Sequence, residues 1–162
     1  RGNSGLPLSI LNPDLMNEFD KVLNYDLIIL HYGANVLGYK SKNFSWYGNN
    51  MTAAVNNLKA CFPNADILVL STADRAIKLN GYMQTDPAVI PLAKAQKEYA
   101  KNTNSGFISL YDLMGGNGSM IQWVKDRQAG KDYTHFNNTG SKKIAYMIYD
   151  EIEKGYEKYK EN

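Results

Sequence analysis

The sequence predicts an α/β fold, a three-layer α/β/α sandwich around a parallel sheet, and three observations predict it. The runs Leu27-Ile28-Ile29-Leu30 and Ile67-Leu68-Val69-Leu70 carry no polar alternation. Strands of that kind are covered on both faces, as in parallel sheets. Helical patterns separate the strand candidates, giving a strand–helix–strand order that closes with right-handed crossovers. Finally, 162 residues with 44% hydrophobic and 21% charged content suit one domain with a single core.

Each element has its own signal. Asn12-Pro13 opens the first helix, with Asn12 as N-cap and Pro13 at the first helical position, and the pattern runs to about Leu23. The first strand covers residues 25–31. Met51, Val55, Leu58 and Phe62 mark one face of a second helix that stops before Pro63. A second strand occupies 65–71. The third helix starts near Pro87 and presents Val89, Leu92, Gln96 and Tyr99 on one side, followed by a third strand over 106–111. A short helix follows from Ser119, its N-cap, to Asp126. The last runs from about Asn138 into the tail, with Ile144, Met147, Ile148 and Ile152 inward. Three strands are few for such a sheet, and Arg1-Gly2-Asn3-Ser4-Gly5 reads as a loop after a strand, so residues 1–162 are expected to be the C-terminal portion of one larger domain.

Composition excludes several classes of function. A net charge of +2 without a basic run gives no footprint for nucleic acid. The longest apolar run is far too short for a membrane span. Two histidines without a carboxylate or cysteine cluster give no metal site of familiar spacing, and no phosphate-binding or dinucleotide loop is present, so no cofactor is expected. The single Cys61 sits in a helical pattern and reads as a small buried apolar residue.

The chemistry concentrates in Asp132-Tyr133-Thr134-His135, just ahead of the last helix. An acid three residues before a histidine gives the imidazole a carboxylate partner, the arrangement a general base in acyl transfer requires. The first strand ends in His31-Tyr32-Gly33-Ala34-Asn35. Ligands in open α/β sheets gather beyond the carboxyl ends of strands, where Gly33 permits a tight turn and the Asn35 amide could meet an oxyanion. The plainer alternative is an asparagine that stabilises its own turn. Gly5 could add an unhindered backbone N–H.

Taken together, these residues resemble the SGNH (GDSL-type) hydrolase family. Arg1-Gly2-Asn3-Ser4-Gly5 is similar to its second block, Gly33-Ala34-Asn35 to its third block G-x-N, and Asp132-Tyr133-Thr134-His135 to its fifth block D-x-x-H. Gly140 and Lys142-Lys143-Ile144-Ala145 are similar to the helix that follows that block. The resemblance implies a flavodoxin-like fold and a serine esterase or O-acyltransferase, with His135 and Asp132 as base and acid of the triad. It also implies Asn35 and the Gly5 N–H as oxyanion donors. Stretches such as Ser71-Thr72-Ala73-Asp74-Arg75-Ala76 extend the likeness to bacterial envelope members that process acyl groups on glycans, which implies an acylated small molecule or glycan as substrate and a periplasmic or secreted location. Two departures stand out. Val36 replaces the aspartate that often follows the third block, and the G-D-S block with the nucleophilic serine is absent unless Gly2-Asn3-Ser4 is a G-N-S variant of it, a reading disfavoured because only one helix separates it from the first strand. The rival reading is therefore a non-catalytic glycan-binding or assembly module.

Other residues stay open between roles. Asp74 and Arg75 follow a strand and serve either the loop or the substrate. Trp46, Tyr47 and Trp123 read first as packing residues and second as a sugar-stacking surface. His31 reads as a packed histidine. If strands precede Arg1, the first strand has an apolar edge here, which either an N-terminal fragment of the same protein or an edge-paired second copy would cover.

Overall fold

The structure is a computed structural model that describes residues 6–38 and 40–161. Its chain divides into two compact units, one ending at Thr72 and resuming over 87–107, the other formed by 73–86 and the residues from Ile108 onward.

In the first unit, helix α1 (Pro13–Leu23) begins as its sequence dictates. The Asn12 carboxamide oxygen accepts from the N–H groups of Asp14 and Leu15 at 2.9 and 3.3 Å, satisfying donors that a helix start leaves unpaired. Asn24 ends it in the left-handed region, at φ 48°. Strand β1 (Leu27–His31) follows, then a 3₁₀ turn (Ala34–Val36), helix α2 (Ser45–Cys61) and strand β2 (Asp66–Leu70). Strands β1 and β2 pair in parallel, from Leu27 opposite Asp66 to His31 opposite Leu70. All but the first residue of β2 are buried, so this strand is covered on both faces, as its unbroken apolar run demands. The core gathers Leu30, Tyr47, Met51, Val55, Leu58, Val69, Leu92 and Tyr99.

The apolar stripe of α1 faces outward. Leu15, Phe19 and Val22 are exposed while Asp20 is buried. Leu27 and Ile29 of β1 are also 43% and 49% exposed, and β1 is an outer strand of a sheet in which β2 lies between it and a short strand at Gly106–Ile108. An apolar outer strand and an outward apolar helix face are surfaces that need a cover.

Two further strands, β3 (Ala76–Leu79) and β4 (Tyr82–Thr85), form an antiparallel hairpin in the second unit. Asn80 and Gly81, both at positive φ, make its two-residue turn, the geometry that suits hairpin twist. Asn80-Gly81 between two short runs is itself a hairpin signal. Helix α3 (Val89–Asn102) returns to the first unit and starts two residues later than expected. Strand β5 (Gly106–Ile108) is shorter than the predicted 106–111, because the Ser109 hydroxyl accepts from the Asp112 N–H at 3.2 Å and starts the short helix α4 (Leu110–Leu113). Helices α5 (Ser119–Lys125) and α6 (Asn138–Lys160) complete the second unit. No helix among the described residues is long and apolar enough to cross a membrane.

Candidate active site

The loop between α5 and α6 is built to hold an imidazole against a carboxylate. An isolated bridge, Ala129 to Phe136, ties its two ends together, and the Gly130 N–H donates to the His135 carbonyl at 2.8 Å. Tyr133 at the apex takes φ 55°, and its carbonyl accepts from the Ala76 N–H at 3.0 Å. Within this frame one Asp132 oxygen, Oδ1, receives the backbone N–H groups of Thr134 and His135 at 3.0 and 3.1 Å. The other, Oδ2, lies 2.8 Å from His135 Nδ1. The carboxylate therefore shapes the turn and orients the ring together.

This division of labour fixes the chemistry of the ring. With Nδ1 donating to Oδ2, Nε2 keeps its lone pair and is the atom that can take a proton. The His135 side chain is 81% exposed, so Nε2 is open to a reacting group. Hydrogen bonds from the His135 ring, and then from the backbone of His135 and Thr134, lower the Asp132 pKa to about 2. Asp132 is thus an anion wherever an imidazole can be neutral.

Helix α6 anchors this loop. The Asn137 oxygen caps it by accepting from the N–H groups of Thr139 and Gly140, both at 3.0 Å, while its own amide donates to the Arg127 carbonyl at 2.7 Å. Gly140 is buried against the chain, and a Cβ there would fall 1.9 Å from the Gln128 carbonyl oxygen. Phe136 packs on the buried Trp123, whose indole N–H donates to the Met114 carbonyl at 3.1 Å. Trp123 is a packing residue.

In the first unit, the chain leaves β1 through Tyr32 and turns at Gly33, which takes φ 112°. Asn35 stands exposed in the 3₁₀ turn that follows. A Cβ on Gly33 would lie 2.8 Å from Gln96 Nε2 and 2.9 Å from the Tyr47 hydroxyl, so glycine is required for space as well as for φ. Gly5 lies outside the described residues.

Asp74, Arg75 and Trp46 are placed as follows. Asp74 is buried, and its Oδ2 accepts from the Met120 N–H at 2.8 Å and the Ser119 hydroxyl at 3.3 Å. Burial raises its pKa against those bonds. Asp74 thereby caps α5 from 45 residues away, and Ser119 is the first helical residue rather than the N-cap, which is Gly118. Arg75 pairs with the buried Asp86 through Nε at 3.1 Å and through Nη2. Trp46 stays half exposed, with the edge of its ring on Tyr47 at 6.0 Å. Among the described residues no group of His, Cys, Asp and Glu could hold a metal ion.

The profile of the GDSL-like Lipase/Acylhydrolase family matches residues 2–143. The chain belongs to that family. Among solved structures, this GDSL-like chain is similar to a peptidoglycan O-acetylesterase, with 25% identity and a TM-score of 0.76 over 87% of its length. It is also similar to an acetyl xylan esterase, with 18% identity and a TM-score of 0.59, covering 86% of this chain and 73% of that one. The second likeness is one of fold. The chain spans 40% of the length of the peptidoglycan O-acetylesterase. No curated protein matches it. The α/β fold with a parallel sheet flanked by helices is that of these GDSL-like relatives.

Proposed function

We propose that this chain carries the base and oxyanion parts of a serine ester hydrolase acting on O-acetyl or other short acyl groups of a carbohydrate or cell-envelope glycan. The observation that carries the reading is the 2.8 Å contact between His135 Nδ1 and Asp132 Oδ2, with Nε2 left open. Family membership and the likeness to a peptidoglycan O-acetylesterase support it.

In this mechanism a serine hydroxyl attacks the ester carbonyl and passes its proton to His135 Nε2. Asp132 stabilises the imidazolium so formed. The oxyanion receives the Asn35 amide and the N–H of Gly5, each such donor contributing about 2.7–4 kcal/mol to the transition state. As the tetrahedral intermediate collapses, the imidazolium returns its proton to the departing sugar hydroxyl. Water then attacks the acyl-enzyme, again with Nε2 as base, and releases the acid. A second sugar hydroxyl in place of water makes the same machinery an O-acyltransferase.

No G-D-S sequence occurs in the 162 residues, which is the observation favouring a non-catalytic glycan-binding module. In the esterase reading the nucleophile comes from a further segment of the same protein, docked where β1 and α1 expose their apolar faces. Residues 1–162 alone are then expected to self-associate in light scattering and to hydrolyse a small acetyl ester no faster than free imidazole. Adding the segment with the serine block restores turnover. Turnover by the isolated, monomeric chain overturns the assignment of an external nucleophile. Absence of turnover in the longer protein, with glycan binding intact, supports the module.

A further inference from the structure

Gln96 is fully buried on α3, and both ends of its amide are used. Nε2 donates to the Tyr32 carbonyl at 2.6 Å, and Oε1 accepts from the Thr72 N–H at 2.8 Å. The partners are a backbone acceptor and a backbone donor, so the amide has one orientation that satisfies both. They also sit at the carboxyl ends of two paired strands, since Tyr32 follows β1 and Thr72 follows β2. Gln96 links the two segments just beyond those ends.

The Tyr32 carbonyl belongs to the peptide that enters Gly33, and Asn35 is two residues further on. Gly33 packs so closely on the Gln96 amide and the Tyr47 hydroxyl that it has no room for a methyl group. Burial pushes the Tyr47 phenol up to about 12, so it is a neutral wall at any working pH. The turn bearing Asn35 is therefore held at its root by a hydrogen bond and at its side by contact.

We propose that Gln96 is a positioning residue for the oxyanion site: it fixes the Tyr32–Gly33 peptide so that the Asn35 amide is aimed before substrate arrives. This rests on the reading of Asn35 as an oxyanion donor. Preorganisation of that kind acts on the developing charge more than on the bound ester, so it is read in kcat rather than in KM. Only glutamine offers a donor and an acceptor in one plane at this length whatever the pH. Methionine keeps the volume and loses both bonds. Glutamate keeps the acceptor for Thr72 and, when ionised, sets a carboxylate oxygen against the Tyr32 carbonyl.

The test compares Gln96→Met, Gln96→Glu, Asn35→Ala and the double variant Gln96→Met/Asn35→Ala, in the protein that includes its nucleophile block, on a small acetyl ester. Asn35→Ala is expected to lower kcat by about 10²–10³-fold. Gln96→Met is expected to lower kcat by about 10–100-fold with KM within about twofold, and to add nothing in the Asn35→Ala background, because it acts through that donor. For Gln96→Glu the ratio of its kcat to wild type should rise as pH falls, since the protonated carboxyl donates to Tyr32 as the amide does. This pH profile decides the matter if Gln96→Met does not fold. An unchanged kcat in Gln96→Met, a penalty that multiplies fully in the double variant, or a flat ratio for Gln96→Glu overturns the positioning role while leaving Asn35 in place. An Asn35→Ala variant with wild-type kcat removes the oxyanion reading itself and the proposal with it.

Discussion

Replacing His135 with alanine in the protein that carries its nucleophile block is expected to abolish acetyl-ester turnover, with a fall in kcat on the order of 10⁴–10⁶-fold, the scale found when the base of a serine triad is removed. The ring makes one side-chain hydrogen bond, to Asp132, and is largely exposed, so its loss leaves no cavity and circular dichroism should match wild type. Asp132→Asn is the informative companion. The new side-chain oxygen can still accept from the Thr134 and His135 N–H groups and keep the turn. Its amide nitrogen, however, presents hydrogens to Nδ1, which must then become the acceptor. Nε2 then carries the proton and cannot receive one from serine. A loss of about 10⁴-fold follows, smaller than that of His135→Ala. Wild-type turnover in His135→Ala, with matched circular dichroism, rules out the general-base role.

Gly140→Ala has the largest expected effect on the fold. Its Cβ would sit 1.9 Å from the Gln128 oxygen and 2.9 Å from the Gln128 carbonyl carbon. Both are backbone atoms and cannot swing aside. The same Gln128 oxygen accepts from the Asn137 N–H at 3.2 Å, so relieving the clash moves the first turn of α6 away from the segment that leads into the site loop. A destabilisation of about 3 kcal/mol or more is expected, at the upper end of overpacking effects, with catalysis falling further than the unfolded fraction explains. Guanidinium unfolding of Gly140→Ala beside Thr139→Ala, an exposed neighbour, measures it. A difference between the two below about 0.5 kcal/mol, the scatter of ordinary surface changes, contradicts the packing argument.

The parts of the fold that were legible in the sequence are those set by local or periodic signals. The unbroken run at 67–70 became β2, where burial on both faces leaves no reason to alternate, and the run at 27–30 became β1, although Leu27 and Ile29 stay exposed. Asn12-Pro13 and Asn137 mark helix starts through bonds that span three residues or fewer. The Asp132–His135 pair was legible for the same reason, since acid and base lie within one turn. What the sequence hid depends on contacts between distant residues. The partners of Asp74 and Arg75, the Met120 N–H and the Asp86 carboxylate, lie 46 and 11 residues away along the chain. Gln96 looks like one member of a helix face, and only the fold brings Tyr32 and Thr72 to its two ends. The hairpin at Asn80-Gly81 is a different case: its turn signal was local, but its strands are too short and too polar to announce themselves.

In the proposed mechanism His135 and Asn35 serve one reacting carbonyl. A crystal structure of the protein with its nucleophile block, trapped by a phosphonate that mimics the tetrahedral intermediate, tests it most directly. In the adduct, His135 Nε2 is expected within hydrogen-bond reach of the serine Oγ or the leaving-group oxygen, and the Asn35 amide about 2.7–3.1 Å from the phosphonyl oxygen. An adduct with Asn35 and His135 at opposite ends of the sheet, or with another residue donating in place of Asn35, contradicts it.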